Sequence, residues 1–272
     1  MLKIAVVGAG SLLGRELVDM LEPRECSVLP LSHGPMTRDE EFSDLVMFAP
    51  EASLLEGIEL VILAETPAAP ELLTGYAGKV LDLRDEPEAS LDPMPLVGAW
   101  PKGKLALRGR PALEQVLATL PRLVEGIGEV GGTHLESVAH LGDRGVDGLM
   151  EQTAAIFKGE DPEIEKLGYR AAFEMVPQAP RGRLITVKVP AFHGDLLILH
   201  LRAAEGRTLA RLDAPEGVEW RDLPASSREV AVSPFLLAHF APIEEGRAAI
   251  LTLGYDPILW GVLMPILRLL GL

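Results

Sequence analysis

The chain has 272 residues, of which 25 are Lys or Arg and 40 are Asp or Glu, for a formal charge of −15. A balance this acidic argues against nucleic acid or an anionic membrane as the main partner. With 48% hydrophobic and 24% charged residues, whole-chain disorder is excluded. The length suggests about two domains. The single cysteine, Cys26, excludes a disulfide framework and a multi-cysteine zinc site, and it suits a reducing cytoplasm.

In chain order, Met1 to Gly8 is a short apolar run that ends in glycine and shows no cleavage-like site, so no signal peptide is expected. Ile4 to Val7 reads as a strand buried on both faces. A glycine turn, Gly8 to Gly14, follows, and then a helix-spaced run from Arg15 to Leu21. Ser27 to Leu31, Ile58 to Ala64 and Lys79 to Leu83 read as further strands. Strands separated by crossovers predict a doubly wound α/β sheet over about the first 120 residues.

The second half predicts an α+β domain. A helix is expected from Asp147 to Phe157, and antiparallel strands at Leu184 to Val189 and Leu196 to Arg202 around a Pro190–Gly194 bend. Glu229 to Val232 and Ala248 to Leu253 are further strand candidates. Asp85–Pro95, Gly159–Gly168 and Ala179–Arg183 read as connections. Pro257 to Leu272 is strongly apolar but holds Pro265 and Arg268, and it is shorter than the roughly 20 residues a membrane span needs. A buried terminal helix is expected there.

A glycine turn between a first strand and a helix points backbone N–H groups at a pyrophosphate. Gly8 suits the tight turn, Gly10 the close approach and Gly14 helix–strand packing. The spacing is G-x-G-x-x-x-G rather than the strict fingerprint, and the alternative reading is a turn that only packs. Candidate cofactor contacts are Gly8, Gly10, Ser11, Leu12, Leu13 and Ser32. Leu31-Ser32-His33-Gly34 has no carboxylate for a ribose hydroxyl, which with Arg38 favours NADP over NAD and equally suits a loop that binds nothing.

Read with the later segments, Gly8 to Leu17 resembles the G-A-T-G-A-V-G-R-E-L motif of aspartate-semialdehyde dehydrogenases. His134 to Thr153 is similar to the family's S-T-Y-Q-A-V-S-G-A-G segment, and Ala172 to Gln178 to A-F-N-x-x-P-Q. Val189 to Gly194 is similar to V-P-V-F-x-G, and Asp256 to Leu270 to the C-terminal D-N-L-x-x-G helix. The match runs in order over nearly the whole chain. It implies an α/β Rossmann domain plus an α+β dimerisation domain of the aspartate-semialdehyde dehydrogenase type. The expected boundaries are 1–125 with 254–272 for the Rossmann-like domain, and 126–253 for the dimerisation and substrate-like domain. It also implies NADP as cofactor and a homodimer as assembly.

The family's cysteine nucleophile, anchored on Gln115, falls at Pro111, and its base histidine falls at Asp195. Cys26 precedes the second strand, at the end of the sheet away from ligands, and reads as structural. His193 lies two residues before Asp195 and on the same strand face, which makes it the one weak catalytic candidate; the plainer reading is a solvent-exposed bend residue. His134, His140, His200 and His239 read as packed or surface histidines, and no metal site is expected. The family's substrate helix is missing between Gln178 and Val189, and its nicotinamide-facing Asn is matched by Pro265. Arg108 and Arg110 are the basic residues left at the implied phosphate pocket, or solvated loop charges. The resemblance therefore implies a catalytically degenerate, dimeric, nucleotide-binding relative. The alternatives are an active NADP-dependent oxidoreductase rewired through His193, Asp195 or Glu136, acting on an aldehyde or acyl phosphate, and a scaffold with no ligand.

Overall fold

A computed structural model describes residues 1–32, 47–64, 70–84, 90–95 and 98–272. The chain divides into two compact units, Met1–Pro111 with Pro265–Leu272, and Ala112–Met264. The boundaries expected at 125/126 and 253/254 fall inside the second of these.

In the first unit, strands β1 (Leu2–Val7), β2 (Cys26–Leu31), β3 (Leu60–Leu63), β4 (Lys79–Asp82) and β5 (Ala106–Arg108) form a sheet of order β2-β1-β3-β4-β5. Every pairing is parallel. Continuous apolar runs suit strands covered on both faces, and Ile4 to Val7 and Leu60 to Leu63 are all buried. The order of the strands reverses at β1 and β3, the place where open α/β sheets bind ligands beyond the strands' carboxyl ends. Helix α1 (Leu12–Leu21) starts there and turns Leu17, Val18 and Leu21 inward. Short 3-10 turns, Ala52–Leu55 and Pro70–Leu73, lie on the later crossovers.

The second unit begins with α2 (Ala112–Thr119), β6 (Val124–Glu125), β7 (Ile127–Glu136) and α3 (Asp143–Lys158). Strands β8 (Val176–Pro177), β9 (Leu184–Lys188), β10 (Asp195–Ala203), β11 (Ala210–Arg211) and β12 (Val218–Trp220) follow. Helix α4 (Ser227–Val230), β13 (Leu236–Ile243) and β14 (Ala248–Tyr255) come next; α5 (Met264–Leu270) belongs from Pro265 onward to the first unit. Seven strands form a mixed sheet of order β12-β13-β14-β10-β7-β9-β8. One face of β10 and β14, Leu197, Leu199, Leu201, Leu251, Leu253 and Tyr255, forms the core with Val116, Leu120 and Trp260.

Two expectations are corrected here. The strands flanking Pro190–Gly194 do not pair, because β7 inserts between them, parallel to β9 and antiparallel to β10. Glu229 to Val232 is not a strand: Ser226 and Glu229 close a capping box that starts α4. The apolar C-terminus forms a π-turn, Leu259–Leu263, before the short helix α5.

Candidate functional site

The glycine turn sits at the carboxyl end of β1. Gly8 has φ +87°, which glycine alone adopts without cost. A Cβ on Gly14 would lie 2.0 Å from the Gly8 carbonyl oxygen, so the expected packing role of Gly14 is a steric requirement. Ser11 caps α1: its hydroxyl oxygen accepts from the Gly14 amide at 3.1 Å and its hydroxyl donates to the Gly8 carbonyl at 2.7 Å. The Arg15 guanidinium donates to the Gly10 carbonyl at 2.6 Å. The amides of Gly8 and Ala9 both donate to the Leu31 carbonyl, and that of Ser11 donates to Gly8. These three amides hold the turn together. Leu12 and Leu13 open the first turn of α1, at the positive end of the helix dipole. A Cβ on Gly10 would meet the Ser32 hydroxyl at 2.9 Å, so Gly10 and Ser32 lie side by side. The residues present thus fit a pyrophosphate at the N-terminus of α1. His33 and Arg38 lie outside the described residues.

Cys26 is the first residue of β2 and pairs with Leu2, the first residue of β1. Five residues of strand, at about 3.3 Å each, put it roughly 16 Å from the carboxyl edge. Its thiol is buried and donates to the Leu21 carbonyl at 3.1 Å. Burial pushes the thiol pKa up, against a smaller downward pull from Arg24. Such a thiol is a poor nucleophile.

Pro111 is exposed and immediately precedes α2, a place where a missing N–H costs nothing. Gln115 on that helix is buried and donates its side-chain amide to the Gly261 carbonyl. The Arg110 guanidinium donates to the Met94 carbonyl at 2.7 Å, and that of Arg108 to the Gly109 carbonyl at 3.3 Å.

Asp195 is buried, on the core face of β10. Its Oδ1 accepts from the Ser137 amide at 2.8 Å and the Ser137 hydroxyl at 2.7 Å, and its Oδ2 faces His134 Nε2 at 3.0 Å. A carboxylate opposite an imidazole nitrogen requires the proton on Nε2. The Tyr255 hydroxyl lies 3.0 Å from the same nitrogen. Burial first, then the charges of Asp195 and Glu136, hold the Tyr255 hydroxyl well above its ordinary pKa. His134, read from sequence as an ordinary packed or surface histidine, is one member of this buried network, and its Nδ1 is buried without a partner. No regular spacing in the sequence links positions 134, 137, 195 and 255; the pairing of β7, β10 and β14 brings them together.

His193 lies in the bend before β10, not on a strand, so the strand face it was expected to share with Asp195 does not exist; its side chain is 33% exposed, and its Nδ1 lies 3.0 Å from Oδ2 of the buried Asp256. The other carboxylate oxygen of Asp256 accepts the amides of Ile258 and Leu259 at 2.9 and 2.7 Å. Asp256 thus gathers two backbone amides and the imidazole, and it holds the imidazole in a fixed orientation. Glu136, the third alternative, is tied to Lys188 at 2.5 Å and lies 3.6 Å from His140. Burial pushes its carboxyl pKa up, but His140 and Lys188 together outweigh that and hold it below the ordinary value. Among the described residues, no cluster of His, Cys, Asp or Glu could hold a metal ion, and no helix is long and apolar enough to cross a membrane.

No family model matches the sequence, and none of the curated proteins compared with it matches. Solved structures do. Aspartate semialdehyde dehydrogenase II from Vibrio cholerae, complexed with ASA, superposes with TM-score 0.74 at 17% identity, covering 100% of this chain and 97% of that one. A probable aspartate-semialdehyde dehydrogenase from Pseudomonas aeruginosa gives 0.71 at 21% identity, over 98% and 97%. The Francisella tularensis aspartate semialdehyde dehydrogenase gives 0.73 at 12% identity, over 100% and 99%. Over its whole length, then, the chain has the fold of the aspartate-semialdehyde dehydrogenases.

Proposed function

We propose that this chain is a homodimeric, NADP-binding relative of aspartate-semialdehyde dehydrogenase that does not run that enzyme's thioester chemistry. The observation that carries the reading is the place of the only thiol. Cys26 is buried at the amino end of a parallel sheet, while the glycine turn lies at the carboxyl end. A thioester route needs a thiolate at the ligand end, and there the chain offers Pro111 and no second cysteine. At Asp195 the carboxylate is committed to Ser137 and His134, so it is not available as a base.

A pyrophosphate would be held by the first turn of α1 around Gly10, Ser11 and Leu13, with Ser32 beside it. The bound nicotinamide supplies redox chemistry, and the chain's own residues position it. The homodimer reading rests on the sheet face opposite the core. There Leu135, Ile198, Ala241 and Ile250 are only half-buried and Ile185 is exposed, which suits sheet-on-sheet packing. Fluorescence titration with NADPH and sedimentation at micromolar concentration test the two parts. Enhancement and a dimer mass support the reading; no enhancement, or a 29.3 kDa monomer, defeats the corresponding part.

One observation favours a second reading, an active NADP-dependent oxidoreductase on an aldehyde or acyl phosphate. His193 is held by Asp256 in the manner of an oriented general base. NADPH consumption with a panel of aldehydes that His193→Gln abolishes would establish it.

A further inference from the structure

β10 is the middle strand of the seven, and its residues alternate between the two faces of the sheet. Leu197, Leu199 and Leu201 turn to the core, so Ile198, His200 and Arg202 turn outward. Straight across the sheet, His200 pairs with Ile250 of β14, which pairs with Ala241 of β13. On its other side His200 pairs with Gly131 of β7, which has no side chain to cover the imidazole. His200 is exposed, while Ile198, Ile250 and Ala241 are half-buried. A titratable ring therefore stands in the middle of an apolar sheet face.

Charge at the two ends of that face fits a second copy of the chain. Towards β9, Glu129 bonds Arg183 at 2.6 Å and lies opposite Arg202 in the strand register, so two arginines surround one glutamate. At the β12 edge, Arg221 reaches Glu219 at 3.0 Å and Glu229 at 3.4 Å, so two glutamates surround one arginine. Glu219 faces outward, because its neighbours Val218 and Trp220 pack on the core. One end of the face thus carries an excess positive charge and the other an equal negative one. A two-fold that lays each end over the opposite end of the partner pairs these excesses twice.

Resting on the homodimer reading, we propose that His200 gates self-association: neutral, it packs in the interface between the two sheets, and protonated, it separates them. Burying a charged imidazole costs more than burying a neutral one. The ions that share its face are Arg202 on its own strand, Glu129 on β7 and Arg183 before β9. The outward residues of β14 carry no charge, and β13 presents His239, whose Nδ1 lies 3.2 Å from the Arg221 carbonyl. Helix α4 meets the face through Val230 at Gly254 and carries Arg228 and Glu229. Glu129 is already bonded to Arg183, so a proton on His200 adds to an excess of positive charge, once in each copy. The dimer is therefore strong at neutral pH and weakens as pH falls through the range in which histidine becomes charged.

The test is sedimentation velocity of the full chain over a micromolar concentration series, at about pH 7.5 and about pH 5.5. The wild-type dimer should weaken by about tenfold or more between the two. His200→Gln, which takes no proton, should hold its dimer strength within about threefold over the same range. His200→Lys, which stays charged, should weaken the dimer at both. The position is exposed, so circular dichroism should show the fold retained in both variants. A wild type that is monomeric at both pH values and at every concentration refutes the homodimer reading and the gate with it. A dimer that is insensitive to pH, or equally sensitive in His200→Gln, refutes the gate and leaves the homodimer reading standing.

Discussion

Asp195→Ala should destabilise the second unit heavily. The substitution strips the acceptor from the Ser137 amide, the Ser137 hydroxyl and His134 Nε2–H, and all of these residues are buried. Each orphaned buried group costs about 1–3 kcal/mol, and breaking a buried pair from one side typically costs about 3–5 kcal/mol. Partial relaxation makes the costs less than additive, so about 4 kcal/mol is expected. Asp195→Asn keeps an acceptor for both Ser137 donors and leaves only the His134 and Tyr255 side disturbed, for about 1–2 kcal/mol. Urea unfolding reads the difference through Trp260, whose ring lies 5.9 Å from that of Tyr255. A loss of about 4 kcal/mol lowers the urea midpoint by roughly 2 M. A cost below about 1 kcal/mol for Asp195→Ala would mean that these groups are solvated and that the buried network is wrong.

Gly10→Val should weaken NADPH binding by about tenfold or more with the fold retained, because the new side chain enters beside Ser32, where the pyrophosphate approaches; unchanged affinity in a fluorescence titration would make the turn structural only. Gly14→Ala should unfold or rearrange the turn itself, since its Cβ meets a backbone oxygen that cannot retreat, and circular dichroism together with the same titration should show both losses. Cys26→Ser should cost less than about 1 kcal/mol, because a hydroxyl can keep the bond to the Leu21 carbonyl; a larger loss in thermal melts would contradict the structural reading of the thiol. Glu136 is held below its ordinary pKa in the folded chain, so its contribution is present above about pH 4.5 and lost as pH falls through the folded value. Glu136→Gln should therefore flatten the acid limb of a stability–pH curve by about 1–2 kcal/mol; an unchanged limb would show that the Lys188 pair contributes nothing.

The elements that could be read from sequence carry their signal locally. The apolar run at Ile4–Val7 and the glycine turn after it need no distant partner to be recognised, and Gly14 packs as its place in the turn suggests. Helix α3 was expected from periodicity over Asp147–Phe157; its actual Asp143–Lys158 span starts a turn earlier, across Gly145, which favours no helix. Glu229 to Val232 looked like a strand because three of its four residues are Val or Ala and only the capping box at Ser226 says helix. β7 was missed because Gly128, Gly131 and Gly132 interrupt its pattern. Those glycines are there for close approach: a Cβ on Gly132 would lie 2.1 Å from the Ile198 carbonyl oxygen. Missing β7 also hid the His134–Asp195 pair, whose members meet only through the β7–β10 pairing. The His193–Asp256 pair was hidden differently: its members, 63 residues apart, meet at the end of the β10–β14 pairing, a register that neither strand's own pattern states.

The central claim is that a chain with the fold of aspartate-semialdehyde dehydrogenase lacks that enzyme's thiol route. The most direct measurement is NADPH formation by the purified full chain given aspartate semialdehyde, phosphate and NADP⁺, alongside Cys26→Ser. No phosphate-dependent NADPH formation above the protein-free blank is predicted for either protein. Phosphate-dependent formation by the wild type that disappears in Cys26→Ser would contradict the account.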